Sequence, residues 1–359
     1  MGKRVGYSAL WVLVIIVAVW AHSVARNHRK TERVAQMSFT VEGSKSKPLV
    51  DASLMEEWVV SHGVSPIGRT IAEVDLFEIE SVVLQHSAVS AANAYISYDG
   101  SVSVSITQRE PVARLRVDGY DMYLTADGYL FPADDGNAVY VPVITGSYRP
   151  IFAANRSCYA SDVVRDSIAA IDRHIAALDE QKLPFMQKRQ AYRKEFRAAL
   201  RQRVKRTLFM SDYEYDKRNE ELKELKAEAR RLNVERNRRL DYELAQLTAQ
   251  QDAAREQQRM LGLVDEDMRG LLKLLSVVQH DSFWSSEVVQ IILSGGGTEP
   301  MQISFVPRSG RFVVDMGFAE RIDHKFNTLW HFYHKGLDNV GWDKYRQVSL
   351  RYEGQVVCR

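Results

Sequence analysis

The chain has 359 residues, 45% hydrophobic and 26% charged, and a formal net charge of +2. That length accommodates two or three small domains, each able to bury a core. The near-neutral balance excludes the global basic footprint of a nucleic-acid binder. Two cysteines, Cys158 and Cys358, exclude a disulfide framework and leave room for at most one bridge.

Residues 1–4 form a short tail carrying Lys3 and Arg4. Val5 to Ala21 contains no charge, and a run of about 17 apolar residues is the lower limit for crossing a bilayer core. Trp11 and Trp20 are of the type that settles at membrane interfaces. The run, extended to residues 5–25, is therefore expected to be an uncleaved transmembrane anchor. Ser23-Val24-Ala25 could alternatively serve as a small-x-small cleavage site. Orientation is open on charge alone. Arg26, Arg29, Lys30 and Arg33 follow the span and would by themselves hold that side in the cytoplasm, whereas a long translocated domain overrides such charges.

Residues 38–110 read as strand, helix, helix, strand, strand. Phe39 to Glu42 opens with a strand. Leu54, Trp58 and Val59 recur at helical spacing, and a second helix near Asp75 to His86 turns Leu76, Ile79, Val83 and Leu84 inward. Ala94 to Tyr98 and Val102 to Ile106 alternate on either side of Asp99-Gly100, which predicts a hairpin. This βααββ order is that of a POTRA unit, two helices on one face of a three-stranded sheet.

Residues 111–155 continue with strands at Tyr120 to Thr125, Tyr129 to Pro132 and Val139 to Ile144, the first two separated by a turn at Asp127-Gly128. Residues 156–262 are densely charged and almost free of Gly and Pro, as expected of a helical insertion. Ile168, Ile171, Ile175 and Leu178 follow 3-4 spacing, as do Leu222, Leu225, Ala229 and Leu232, which predicts a coiled-coil seam. A four-residue shift through Arg236 to Leu240, Leu244 and Leu247 is a stutter. Ser211-Asp212-Tyr213-Glu214 fits a capping box at a helix start. Two antiparallel helices of about 50 residues each, projecting roughly 70 Å, would return the chain to its point of departure. Pro184 is expected to kink or break the first helix. Arg197, Arg201, Arg203, Lys205 and Arg206 cluster near the tip, either as a solvated face or as a contact for an anionic partner.

Residues 263–359 return to strand-rich sequence, with a turn at Pro307 to Phe312 and a helix carrying Arg321, Lys325, Phe326 and Leu329. The ending, about Gln347 to Val357, reads as one terminal strand whose free edge could accept a partner strand.

No motif here carries catalysis. Gly295-Gly296-Gly297 lacks the Gly-Lys-Ser/Thr of a phosphate-binding loop, and Ser44 and Lys47 lack the partner motifs of penicillin-recognising enzymes. His331 and His334 are three apart on a helix with no third metal ligand at suitable spacing, and their helix turns Ile322, Phe326, Leu329 and Tyr333 inward.

A POTRA unit closing on Gln108-Arg109-Glu110-Pro111, followed by Tyr123-Leu124, Gly128 and Pro132 at Tyr-Leu-x-x-x-Gly-x-x-x-Pro spacing, resembles the FtsQ family of bacterial cell-division proteins. The ending Val348 to Cys358 is similar to the last strand of the Bacteroidetes kind, and Leu350-Arg351-Tyr352 matches the family's partner-binding strand. The resemblance covers residues 1 to about 150 and about 265 to 359; the helical insertion departs from it. It implies an α+β protein: a single transmembrane helix, a POTRA domain, and an antiparallel β domain (111–155 and 263–359) interrupted by the coiled-coil hairpin. It further implies a non-enzymatic divisome scaffold without cofactor, anchored in the inner membrane at the septum, with its C-terminal domains periplasmic. FtsB and FtsL, which link to septal peptidoglycan synthesis, would bind the β domain, and other divisome proteins could bind the POTRA domain. The residues expected at the interface are Ser349, Arg351, Tyr352, Glu353 and Gln355. A POTRA-bearing envelope transport or assembly factor that binds client strands is the alternative, but such a protein would continue into a long series of barrel strands.

Overall fold

The computed structural model describes residues 13–24, 30–42, 48–133, 139–148, 156–296, 299–337, 341, 342 and 344–359. Residues 13–24 form an exposed helix, α1. Among the described residues no helix is long and apolar enough to cross a membrane. The expected span 5–25 reaches beyond the described residues at both ends, the tail 1–4 lies outside them, and so do Ser44 and Lys47.

A three-stranded sheet follows, built from β1 (Met37–Glu42), β2 (Val89–Ile96) and β3 (Val102–Gln108) in the order β1-β3-β2. β1 runs parallel to β3 and β2 antiparallel to it. α2 (Ala52–Ser61) and α3 (Leu76–Leu84) begin where Asp51 and Asp75 accept backbone N–H bonds from their first turns, as N-caps do. The helices bury Met55, Val59, Ile79, Val82 and Val83 against the sheet. Two expected inward residues face out: Leu54 is 39% exposed and Leu84 47%. The buried positions are instead Met55, one residue from Leu54, and Val82, two residues from Leu84, because a run of adjacent apolar residues leaves a helix's rotation ambiguous.

The second sheet has ten strands in the order β13-β12-β11-β10-β9-β7-β4-β5-β6-β8. They are β4 (Pro111–Val117), β5 (Tyr120–Thr125), β6 (Tyr129–Pro132), β7 (Val143–Gly146), β8 (Cys158–Tyr159), β9 (Val288–Gly296), β10 (Glu299–Pro307), β11 (Val313–Phe318), β12 (Gln347–Ser349) and β13 (Val357–Cys358). The sheet is mixed, which corrects the antiparallel expectation: β4–β7, β7–β9 and β11–β12 pair in parallel. Parallel neighbours require a crossover, and the long helical segment is part of the one that carries the chain from β7 to β9. Cys158 and Cys358 stand on the two opposite edge strands of this sheet, both as thiols.

The motif Gln108-Arg109-Glu110-Pro111 joins the two sheets. Buried Gln108 accepts the Leu49 N–H at 2.9 Å, and the Arg109 guanidinium lies 3.6 Å from the centre of the Tyr129 ring. Tyr123 and Phe131 of the larger sheet share the core of the βααββ unit. Gly128 holds a left-handed φ of +81° in the turn between β5 and β6, a conformation costly for any residue with a Cβ.

The helical unit is a hairpin of α4 (Ala160–Arg201) and α5 (Asp212–His280). Ser211 Oγ accepts the Glu214 N–H at the start of α5. Cross-links run antiparallel: Gln258 to Asp172, Gln251 to Asp179, Arg189 to Asp241 and Arg236 to Glu195. Pro184 neither breaks nor ends α4. It lies on the exposed side, away from half-buried Lys182 and Phe185. The α5 seam runs through Leu222, Lys226, Ala229, Asn233, Asn237, Leu240, Leu244 and Leu247, so the expected Leu225 and Leu232 lie off it, 57% and 42% exposed. The stutter falls at Asn233–Asn237, whose side chains bond each other at 3.0 Å.

Candidate functional site at the C-terminal face

The end of the chain is not one long strand. β12 stops at Ser349, and Tyr352 to Gln355 form a turn closed by the Gln355 N–H to Tyr352 carbonyl bond at 3.3 Å. Gly354 supplies the left-handed φ of +66° this turn requires. β13 then returns antiparallel, pairing Val348 with Cys358 and Ser349 with Val357. The edge expected at Gln347–Val357 is thus already filled by the chain's own tail, and β12 offers no free ladder to a partner. A Gly in the αL region turns the chain back where alternation alone reads as continuous strand.

Asp315, at the centre of β11, organises the face. It is 4% exposed and accepts from Arg351 Nε at 2.7 Å, from the Gly317 N–H at 3.0 Å and from Ser349 Oγ at 3.2 Å. Arg351 Nη2 also donates to Gln302 Oε1 at 2.6 Å. A buried carboxylate accepting several bonds is well satisfied and fixes the geometry of its donors. Gly317 has φ +66°, and a Cβ there would come within 2.9 Å of Arg351 Cγ, so the backbone passes close beneath that side chain. The β10–β11 ladder shifts register between Ile303, paired with Gly317, and Ser304, paired with Asp315, so β11 carries Met316 as an extra residue, a bulge of the kind that re-aims neighbouring groups.

α7 (Ile322–Phe332) flanks the turn. Its N-cap Arg321 takes a left-handed φ of 50° and pairs with Glu353. That contact lowers the Glu353 carboxyl below its ordinary value, through the hydrogen bond first and the charge second. Lys325 Nζ donates to the carbonyls of Met316 and Phe318, each at 2.7 Å, and burial pulls its ammonium below the usual lysine range. Under the helix lies an aromatic core. Phe305 stacks on Phe326 at 6.1 Å, Trp284 of α6 (Ser282–Glu287) meets Phe326 at 5.0 Å, and Tyr333 bonds buried Glu287 at 3.3 Å. Burial, with Glu287 alongside, pushes the Tyr333 hydroxyl above the ordinary tyrosine range. Gly270 of α5 approaches Ala319 so closely that an added Cβ would lie 2.2 Å from the alanine's Cβ, which seats the segment carrying Phe318 and Arg321.

These elements enclose a cleft of about 340 Å³ lined by Phe318, Arg321, His324, Lys325, Tyr352 and Glu353, among others. Phe318 is 46% and Tyr352 62% exposed. Of the five residues expected at an interface, Tyr352, Glu353 and Gln355 border this cleft with exposed side chains, whereas Ser349 is half-buried and turned to Asp315. Arg351 lines the cleft too, but its guanidinium is bound inward. Asp315, Phe318 and His324 were missed. The only local signal for them is Gly317, which interrupts an otherwise regular strand. His331 and His334 lie exposed, and the His334 ring centre is 4.1 Å from that of Trp330.

Comparison with known families matches residues 33–107 to a POTRA-like domain and residues 229–359 to the description FtsQ/DivIB, C-terminal related. No curated protein matches the chain. The second match contains every residue of the cleft and begins within α5, so the returning helix of the hairpin is in part included in the matched region.

Proposed function

We propose that this chain, an FtsQ/DivIB-type cell-division protein, is a non-enzymatic scaffold that holds FtsB- and FtsL-like partners at its C-terminal face. Divisome proteins are its partners in general terms; the finer assignment rests on the cleft. The observation that carries it is that exposed Tyr352 and exposed Phe318 line one cleft, the first next to a turn fixed from below by the Asp315–Arg351 pair. Aromatic rings on a rigid support, rimmed by charge, are the usual anchors of a protein interface. A partner segment would lay apolar side chains over the two rings and meet Arg321, Glu353 and His324 at the rim. Arg351 acts as the positioning residue that sets the turn, not as the contact. The POTRA-like domain offers a second surface for other division proteins.

In the same proposal, residues 5–25 anchor the protein in the inner membrane at the septum, and the domains after them are periplasmic. A reporter active only in the periplasm, fused after Arg359, should be active; activity of a cytoplasm-only reporter there would reverse the topology. For the interface, Tyr352→Glu and Phe318→Glu should each weaken binding of an FtsB-like segment at least about tenfold while the far-UV spectrum stays that of the parent. Wild-type affinity in both folded variants would move the interface off this face. Proline at Ser349 is not a clean test, because Ser349 lies between β11 and β13.

A further inference from the structure

α4 and α5 are joined at residues 202–211, where the Met210 N–H bonds the Thr207 carbonyl at 3.1 Å. The two central positions of that turn are Leu208, 100% exposed, and Phe209, 99% exposed. Turn apices ordinarily carry Gly, Asn, Asp or Ser, which suit the backbone and stay in water. Two large apolar side chains with no neighbouring surface are stabilised by nothing in the hairpin itself.

The same tip carries a collar of cations. Between Phe196 and Ser211 there are five basic residues, Arg197, Arg201, Arg203, Lys205 and Arg206, and no acidic one. Arg206 is paired with Asp212. Arg197, Arg201, Arg203 and Lys205 are exposed and, among the described residues, form no ion pair. A helix C-terminus favours one nearby cation, which accounts for Arg201 in the last turn of α4 but not for the rest.

We infer that the hairpin tip docks on an anionic phospholipid bilayer. Leu208 and Phe209 enter the region between headgroups and acyl chains, and the long stems of the surrounding Arg and Lys side chains reach up to the phosphates. An apolar wedge inside a cationic rim is the arrangement that binds a negatively charged membrane surface. An acidic protein face would complement the collar but would leave the apolar pair in water. The inference concerns the helical unit alone and stands apart from the C-terminal face.

The test reads residue 209 itself, so insertion of any other part of the chain does not contribute. The full chain carrying Cys158→Ser, Cys358→Ser and Phe209→Cys is labelled with an environment-sensitive fluorophore and combined with bilayers of phosphatidylcholine alone or with phosphatidylglycerol, each containing a shallow doxyl quencher. Quenching and a blue shift are expected with phosphatidylglycerol and not with phosphatidylcholine alone, and neither at a probe placed by Thr248→Cys in mid-hairpin. Replacing Arg201, Arg203 and Lys205 by Glu should weaken the effect about a hundredfold or more, and Leu208→Ser about tenfold, with helix content unchanged. A probe that stays in water on the anionic bilayer, or is quenched equally on both, overturns the inference. A blue shift that rises with protein concentration in detergent, without bilayer, means that the tip meets a second copy and overturns it as well.

Discussion

The C-terminal face and the helical hairpin both expose aromatic or aliphatic side chains, on very different foundations. Beneath Tyr352 and Phe318 lie β11, α7 and a packed aromatic core in which Phe305 and Leu329 are wholly buried. Beneath Leu208 and Phe209 lies a two-helix seam containing Lys182, Lys226, Asn233, Asn237 and Gln251. A sheet with a helix on it buries side chains from several directions, whereas each arm of a helical hairpin buries a single stripe. The first region is therefore expected to transmit any packing defect to the whole unit, and the second to tolerate change locally.

The strongest way to break this contrast is at its centre. Phe305→Ala should destabilise the sheet-containing unit by about 3–5 kcal/mol, read by chemical denaturation. A loss under about 1 kcal/mol would mean that the aromatic core carries little of the stability. Asp315→Ala should cost about 2–3 kcal/mol, since it strips Arg351, Ser349 and Gly317 of a shared acceptor. It should also lower partner binding without touching the cleft rim. Stability loss with unchanged binding would show that the turn is set by something other than this carboxylate.

In the hairpin the expected effects are smaller. Gln251 is 3% exposed, donates to Asp179 at 2.6 Å and accepts from Lys182. Gln251→Leu should change stability by less than about 1 kcal/mol, because Asp179 is exposed and Lys182 half-buried, so both partners can turn to water while the leucine is buried. Registry should suffer instead, since a buried polar contact specifies alignment; disulfide trapping between cysteines placed at residues 172 and 258 would detect the slip. Replacing residues 161–267 by a short Gly/Ser linker should leave cooperative melting of the rest nearly unchanged, because closure cost varies slowly with length. Loss of cooperativity would make the helices part of the core.

The smallest effect concerns pH. The Glu353 carboxyl is held below its ordinary value of 4.5 by Arg321. A depressed acid contributes stability above its unfolded pKa, and the contribution is lost as pH falls through the folded value. Amide exchange at Tyr352 to Gln355 should therefore rise as pH drops below about 4.5, after correction for intrinsic rates. The pair is exposed, so global stability should hardly respond.

Local pattern determined a good deal by itself. The βααββ order, the turn at Asp99-Gly100, the start of α5 near Ser211 and the burial of Ile322, Phe326, Leu329 and Tyr333 all follow from periodicity, caps and turn residues, which act over a few positions. Tertiary structure decided what depends on distant neighbours. Whether Leu225 or Lys226 enters the seam depends on the phase of the partner helix and on a stutter whose site only pairing reveals. The parallel placement of β7 between β4 and β9 joins segments separated by the whole hairpin. At the candidate site, Tyr352 was legible as an aromatic near the chain's end. Asp315 was not, because an aspartate inside a strand has no local mark of being the acceptor for residues 34 and 36 positions away. Sequence spacing records which face a residue takes along its own element; only the assembled sheet records which elements lie side by side.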